Sequence, residues 1–196
     1  FEHLLMEMGE AGVEEIGLFY LGESFLCHWL PEAIDYAKNK CHFPYVFLTT
    51  NGSLASPQVV NYCIRAGLDS LKFSYNYADE NQFSEITGVK SSLFNQVKSN
   101  IISAKGIRDI IAEEMGHRCG LYASYIEYDG EQGKKMKDAV AEISEYVDEV
   151  YALPLYNQAN LVKEQEELHG WKMVAGNRGR LGNLRDSIPC WSIFTE

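Results

Sequence analysis

Short apolar runs alternate along the chain with segments whose apolar residues recur every three or four positions. Phe1, Leu4, Leu5 and Met8 have helical spacing and stop at Gly9 and Gly12, after which Ile16 to Leu21 form a continuous apolar run suited to a buried parallel strand. Pro31 opens a second helix through Lys40, and Tyr45 to Thr49 make a strand ended by the turn-forming pair Asn51-Gly52. Ser56 and Pro57 are an N-cap and first-turn pair, Val59, Val60, Cys63 and Ile64 share one face, Gly67 stops the helix, and a strand from Ser70 to Tyr75 follows. After a polar stretch, Leu93, Val97 and Ile101 mark a longer helix, and Leu121 to Ile126 a strand that runs into Glu127 and the Asp129-Gly130 turn. Met136, Val140, Ile143 and Val147 line a further helix face, and Val150 to Leu155 supply a strand broken or finished at Pro154.

Five strands alternating with five helices through short connections predict an α/β fold with a parallel sheet and right-handed crossovers. Periodicity leaves three closures open: a full barrel, a partial barrel, or a doubly wound sheet. From Gln158 to Asp186 the patterning fades, and Gly176, Gly179 and Gly182 alternate with Arg178, Arg180 and Arg185. That stretch reads as a connector, with a basic phosphate-contacting loop as the other reading. The expected organisation is a core over 1–157, a linker over 158–187 and the start of another unit over 188–196.

Charge narrows the partners. With 17 basic and 28 acidic residues the formal charge is −11, which opposes nonspecific attraction to nucleic acid or anionic membrane. No apolar run approaches the roughly 20 residues that span a bilayer, so the expected setting is cytoplasmic and the expected partner a small molecule, peptide or protein. Cys27, Cys41, Cys63, Cys119 and Cys190 are scattered and free of C-x-x-C spacing, which argues against a disulfide framework or a self-contained zinc site and for a reducing compartment. The abrupt start at Phe1 and stop at Glu196 read as cuts in a longer chain.

Ligands of parallel α/β folds sit at the carboxyl ends of the strands. Here Leu21-Gly22-Glu23-Ser24-Phe25, Leu48-Thr49-Thr50-Asn51-Gly52 and Phe73-Ser74-Tyr75-Asn76 end three successive strands and are expected to face one rim. In this order and spacing the series resembles the core of radical S-adenosylmethionine (radical SAM) enzymes, with a Gly-Gly-Glu-like motif after one strand and Thr-Asn-Gly after the next. The resemblance implies a partial (βα) barrel with parallel strands and a site for S-adenosylmethionine. Gly22 and Glu23 would sit at its ammonium group, Thr50 and Asn51 nearby, and Ser74 and Asn76 at the ribose hydroxyls. Glycine suits such a turn because no side chain blocks approach to its backbone. Leu21 stands where the first glycine of the motif usually stands.

Ile188-Pro189-Cys190-Trp191-Ser192-Ile193-Phe194 is similar to the Pro-Cys-aromatic start of the SPASM-type extension that binds auxiliary iron-sulfur clusters. By that resemblance Cys190 is a thiolate ligand of an auxiliary 4Fe-4S cluster; alone, it reads as a structural cysteine. The family's catalytic 4Fe-4S cluster needs a C-x-x-x-C-x-x-C triplet, which this chain lacks and which the family's order would place before Phe1. The resemblance then implies that the 196 residues alone are inactive. The complete enzyme, fed electrons by flavodoxin or ferredoxin, would cleave the cofactor reductively to a 5′-deoxyadenosyl radical that abstracts hydrogen from a substrate such as a peptide or protein.

Further residues have two readings each. Lys72 shares strand parity with Ser74 and Asn76, so it would point into a barrel and meet a carboxylate of cofactor or substrate, or else pair with a neighbouring acid. Cys63 and Cys119 read as core residues, and His28 as structural. Glu127 and Asn157, after the fourth and fifth strands, are rim or solvated loop positions. A cluster-free barrel lyase or isomerase using Lys72 with Glu127 or Glu23, and a non-catalytic binding relative, are the rival functions.

Overall fold

Five parallel strands lie side by side in the order in which the chain makes them: β1 (Glu15–Gly17), β2 (Tyr45–Thr50), β3 (Ser70–Ser74), β4 (Gly120–Glu127) and β5 (Glu149–Pro154). The computed structural model describes residues 1–154. Between the strands run α2 (Leu30–Asp35, continued by a π-helical turn Tyr36–Lys40), α3 (Pro57–Arg65), α4 (Glu80–Thr87), α5 (Ser92–Met115) and α6 (Gly130–Ala141), and α1 (Glu2–Glu10) precedes β1. A right-handed crossover repeated in one direction puts every connecting helix on the same face of the sheet. A doubly wound sheet would need the strand order to reverse. The sequential order therefore selects the partial barrel among the three closures, with helices outside and a concave inner face.

Alternation along the strands separates the two faces. Val46, Leu48, Leu71, Phe73, Leu121 and Ala123 are fully buried, in one core with Ile34, Val60, Ile64, Ile101, Ile111 and Met136 of the helices. The alternate residues Phe47, Thr49, Lys72, Ser74 and Tyr122 are only partly buried and form the inner face. Each fully buried aliphatic or aromatic side chain contributes about 1.5–3 kcal/mol relative to exposure, so the outer face holds the sheet together, while the inner face mixes the aromatic Phe47 and Tyr122 with the polar Thr49, Lys72 and Ser74.

The amino-terminal ends of the strands are latched in one way twice. Asp69, just before β3, accepts the Val46 N–H at 2.7 Å and pairs with Lys38 at 2.8 Å. Asp148, just before β5, accepts the Leu121 N–H at 2.8 Å and pairs with Arg108 at 2.9 Å and Arg118 at 2.5 Å. Each carboxylate satisfies the neighbouring strand's first free donor and anchors a cation, so these acids belong to stability rather than to the rim.

Three expectations are corrected. The apolar run Ile16 to Leu21 is not one strand: β1 ends at Gly17, and Tyr20 and Leu21 are 87% and 91% exposed. The chain leaves the sheet because Ser24 Oγ donates to Leu18 O and Thr49 O, folding the segment across the end of β2 into a 3-10 turn, Ser24–Leu26. The polar stretch after β3 holds a helix, α4, capped by Asp79 on the Gln82 N–H at 2.8 Å and closed by left-handed Gly88. The face Met136 to Val147 is made by two segments, α6 and a 3-10 turn Ser144–Tyr146, with Ile143 fully buried between them. The expected linker 158–187, the segment 188–196, Asn157 and Cys190 lie outside the described residues.

Candidate functional site

The carboxyl ends of β1 and β2 are joined through one carboxylate. Glu23 Oε1 accepts from Thr50 Oγ1 at 2.6 Å and from the Phe25 N–H at 3.1 Å, and Oε2 accepts from the Asn51 N–H at 2.8 Å. Thr50 Oγ1 in turn accepts the Gly52 N–H at 3.0 Å, with Thr50 almost wholly buried. A buried hydroxyl with both donor and acceptor satisfied is the low-energy arrangement, and here it sets the height of the turn that follows β2.

That turn is held from three sides. Gly52 has φ of +80°, and a Cβ there would lie 2.9 Å from Val97 Cγ1, so the Asn-Gly pair serves both a left-handed backbone and a close approach to α5. Asn51 Oδ1 accepts from Ser53 N–H at 2.9 Å and Ser53 Oγ at 2.6 Å. Asn100, buried on α5, donates through Nδ2 to Gly52 O at 2.7 Å, and its Oδ1 accepts from Gln96 Nε2 at 2.9 Å. Sequence reasoning passed over Asn100. The signal was a polar side chain three residues after Val97 and four before Ala104, inside the buried stripe of α5.

Beside the turn lies a cavity of about 260 Å³, between the ends of β2 and β3, α4 and the start of α5. Asn51, Ser74 and Asn76 line it together with Tyr75, Tyr77 and Phe94. Tyr75 stacks on Phe94 with centroids 5.8 Å apart, and Phe83 meets Tyr77 edge-on at 5.3 Å. Burial, with a smaller push from Glu142, raises the Tyr75 phenol to about 12, and burial also raises Tyr77. Both phenols are neutral at physiological pH, so the walls are aromatic and uncharged. Asn76 Oδ1 is buried there without a hydrogen-bond partner among the described residues. An unsatisfied buried acceptor costs about 1–3 kcal/mol, and a hydroxyl donor from a bound molecule would remove that cost.

The six residues singled out for the cofactor thus divide. Asn51, Ser74 and Asn76 share the aromatic cavity. Gly22 and Glu23 line a separate, more open apolar groove with Leu4, Met8, Phe19 and Trp29. Thr50 lies beneath both as a buried support, and only the Glu23 carboxylate connects the two sets. A Cβ on Gly22 would meet nothing within 4 Å, so that glycine answers no packing need of this chain. His28 and Glu127 are exposed, and Cys63 and Cys119 are buried in the core. Among the described residues no three His, Cys, Asp or Glu side chains gather as a metal site, so these residues offer no ligand set for an iron-sulfur cluster. Lys72, on the inner face, has no carboxylate partner among the described residues. Its ammonium lies 6.0 Å from the Phe19 ring and 5.9 Å from the Tyr151 ring.

No family model matches the chain, and no curated protein matches its sequence. Among the described residues no helix is long and apolar enough to cross a membrane. The fold does match solved structures. A crystal structure of Streptococcus suis SuiB bound to precursor peptide SuiA aligns with a TM-score of 0.60 at 12% identity, over 96% of this chain and 45% of that chain. The chain thus spans less than half of the structure it matches. At this identity the likeness is one of fold, and it bears out the expected fold class: α/β, a partial barrel of parallel strands.

Proposed function

We propose that this chain is the S-adenosylmethionine-binding part of a radical SAM enzyme acting on a peptide or protein. The carrying observation is the strand-end series on this fold: Gly22-Glu23, Thr50-Asn51 and Ser74-Asn76 follow three successive strands, Glu23 bonds to Thr50 and Asn51, and Asn51 shares a cavity with Ser74 and Asn76. The neighbour SuiB, crystallised with a precursor peptide, supports the substrate class.

The residues suit the cofactor in kind. Asn76 Oδ1, an orphan acceptor beside Ser74, fits a ribose hydroxyl. Glu23 Oε2 accepts one bond here and keeps a lone pair for an ammonium group, and Gly22 leaves the backbone open to close approach. Tyr75, Tyr77 and Phe94 give the neighbouring cavity aromatic walls. The chemistry that S-adenosylmethionine would supply here, beside a reduced 4Fe-4S cluster, is hydrogen-atom abstraction from the substrate. The cluster's ligands lie outside the described residues in this reading, and Cys190 would serve an auxiliary cluster. A flavodoxin or ferredoxin in a reducing cytoplasm would supply the electron.

The test is anaerobic reconstitution of the full-length protein with iron and sulfide, followed by reduction and assay of 5′-deoxyadenosine. Its formation from S-adenosylmethionine supports the reading. A protein with a filled cluster, or with none after reconstitution, that makes no deoxyadenosine overturns it in favour of a cluster-free barrel or a binding relative.

A further inference from the structure

The centre of the concave face carries a cation that the described chain does not neutralise. Lys38, Lys98, Lys105, Lys134 and Lys135 each pair with a carboxylate. Lys40, Lys90 and Lys137 do not, and all three are exposed to water. Lys72 is the remaining described lysine: partly buried, on the middle strand, with no acid within ion-pairing distance among the described residues. Leaving a partly desolvated ammonium unpaired is costly, and the chain has an excess of acids from which a partner could have been drawn.

The surroundings are arranged for an anion from outside. Strand register places Thr49 and Tyr122 on either side of Lys72. With Ser70 and Tyr151 they line one cavity of about 370 Å³, so the ammonium shares its cavity with four hydroxyl-bearing side chains. Phe19 and Tyr151 approach the ammonium near the cation–π limit and present it without neutralising it. The carboxylates that line the same cavity, Glu15 and Glu149, are exposed and lie at the first residues of β1 and β5. Register sets Glu149 level with Lys72 but two strands away, and neither glutamate is within ion-pairing distance of the ammonium.

We infer that Lys72 is a substrate-binding residue that receives a carboxylate, namely the acidic side chain of a peptide, on the inner face of the barrel. The peptide assignment rests on the function proposed above; the carboxylate site itself does not.

Binding is read by NMR on full-length protein carrying ¹³C at lysine Cε, with the Lys72 signal identified by its absence in Lys72→Met. The probes are N-acetylated, C-amidated Ala-Glu-Ala and Ala-Gln-Ala, acetate, and S-adenosylmethionine. The glutamate peptide is expected to shift Lys72 and not exposed Lys40, and to bind about 10-fold or more tightly than the glutamine peptide, the loss that follows removal of a charge-assisted hydrogen bond. Acetate is expected to shift the same signal at higher concentration, and Lys72→Arg to keep the preference for glutamate. Equal response to both peptides, no shift of Lys72 with either, or a preference for acetate over the glutamate peptide would overturn the inference. A Lys72 shift produced by S-adenosylmethionine and not by the glutamate peptide would give the residue to the cofactor instead. None of these readouts needs a cluster, so a missing deoxyadenosine signal defeats the radical reading alone.

Discussion

Glu23 Oε1 and Thr50 Oγ1 lie 2.6 Å apart, and this single bond fastens the segment after β1 to the end of β2. Thr50→Val keeps the shape but deprives both Glu23 and the Gly52 N–H of a partner. The expected cost is about 1–3 kcal/mol, that of stranding buried polar groups, read as a lower urea midpoint. An unchanged midpoint would mean that water replaces the hydroxyl.

Two glycines of the rim should respond in opposite ways to alanine. Gly52→Ala meets Val97 at 2.9 Å in a backbone conformation disfavoured for side chains, so thermal stability should fall by more than about 1 kcal/mol. Gly22→Ala enters open space, and its melting temperature should match wild type while S-adenosylmethionine affinity, measured by equilibrium dialysis, drops. Retained affinity in Gly22→Ala would remove that glycine from the cofactor site.

The latch at Asp148 should make stability acid-sensitive. Burial acts to raise the Asp148 carboxyl, but the Leu121 N–H, Arg118 and Arg108 outweigh it and hold the group below its ordinary value. A depressed folded-state value means that the stabilisation is complete above the unfolded value of about 4 and is lost as pH falls through the folded one. Asp148→Asn removes one of the two carboxylates that face Arg108, whose side chain is 4% exposed and keeps Asp109 at 2.6 Å, and should cost about 1.5–3 kcal/mol near neutrality, the range for a hydrogen bond to a charged group. Urea midpoints between about pH 6 and pH 3 should fall less steeply in the variant than in wild type; parallel slopes would place the acid sensitivity elsewhere.

Thiol chemistry should separate the four described cysteines. Burial, with a small contribution from Glu32, pushes Cys63 up to about 12, and burial raises Cys119 further still. Cys27 and Cys41 are partly exposed. Iodoacetamide followed by peptide mapping should label Cys27 and Cys41 in native protein, and Cys63 and Cys119 only after unfolding. Native labelling of Cys63 would contradict the packing of α3 against the sheet.

Much of the rim was legible before any coordinates. Asn51-Gly52 announced a tight turn, and the alternation of Ser70 to Asn76 put Lys72, Ser74 and Asn76 on a common side. The segment Phe19 to Leu21 misled because apolar residues in a run are read as buried, whereas here Phe19 and Tyr20 wall an open groove and Leu21 is exposed. Helix α4 went unseen because it is short and Phe83 and Ile86 are its apolar residues, and its markers were Asp79 at the start and Gly88 at the end.

Local periodicity and turn chemistry were enough to specify the alternation of helix and strand, the parallel sheet that follows from it, and which polar residues end each strand. Tertiary packing set the strands in chain order, bonded Glu23 to Thr50 and Asn51 across 27 and 28 positions of sequence, and left Lys72 between Phe19 and Tyr151 with no acid paired to it among the described residues. Strand order and the contacts across it arise from how the helices cover one face of the sheet, and that packing is a property of the whole chain rather than of any stretch within it.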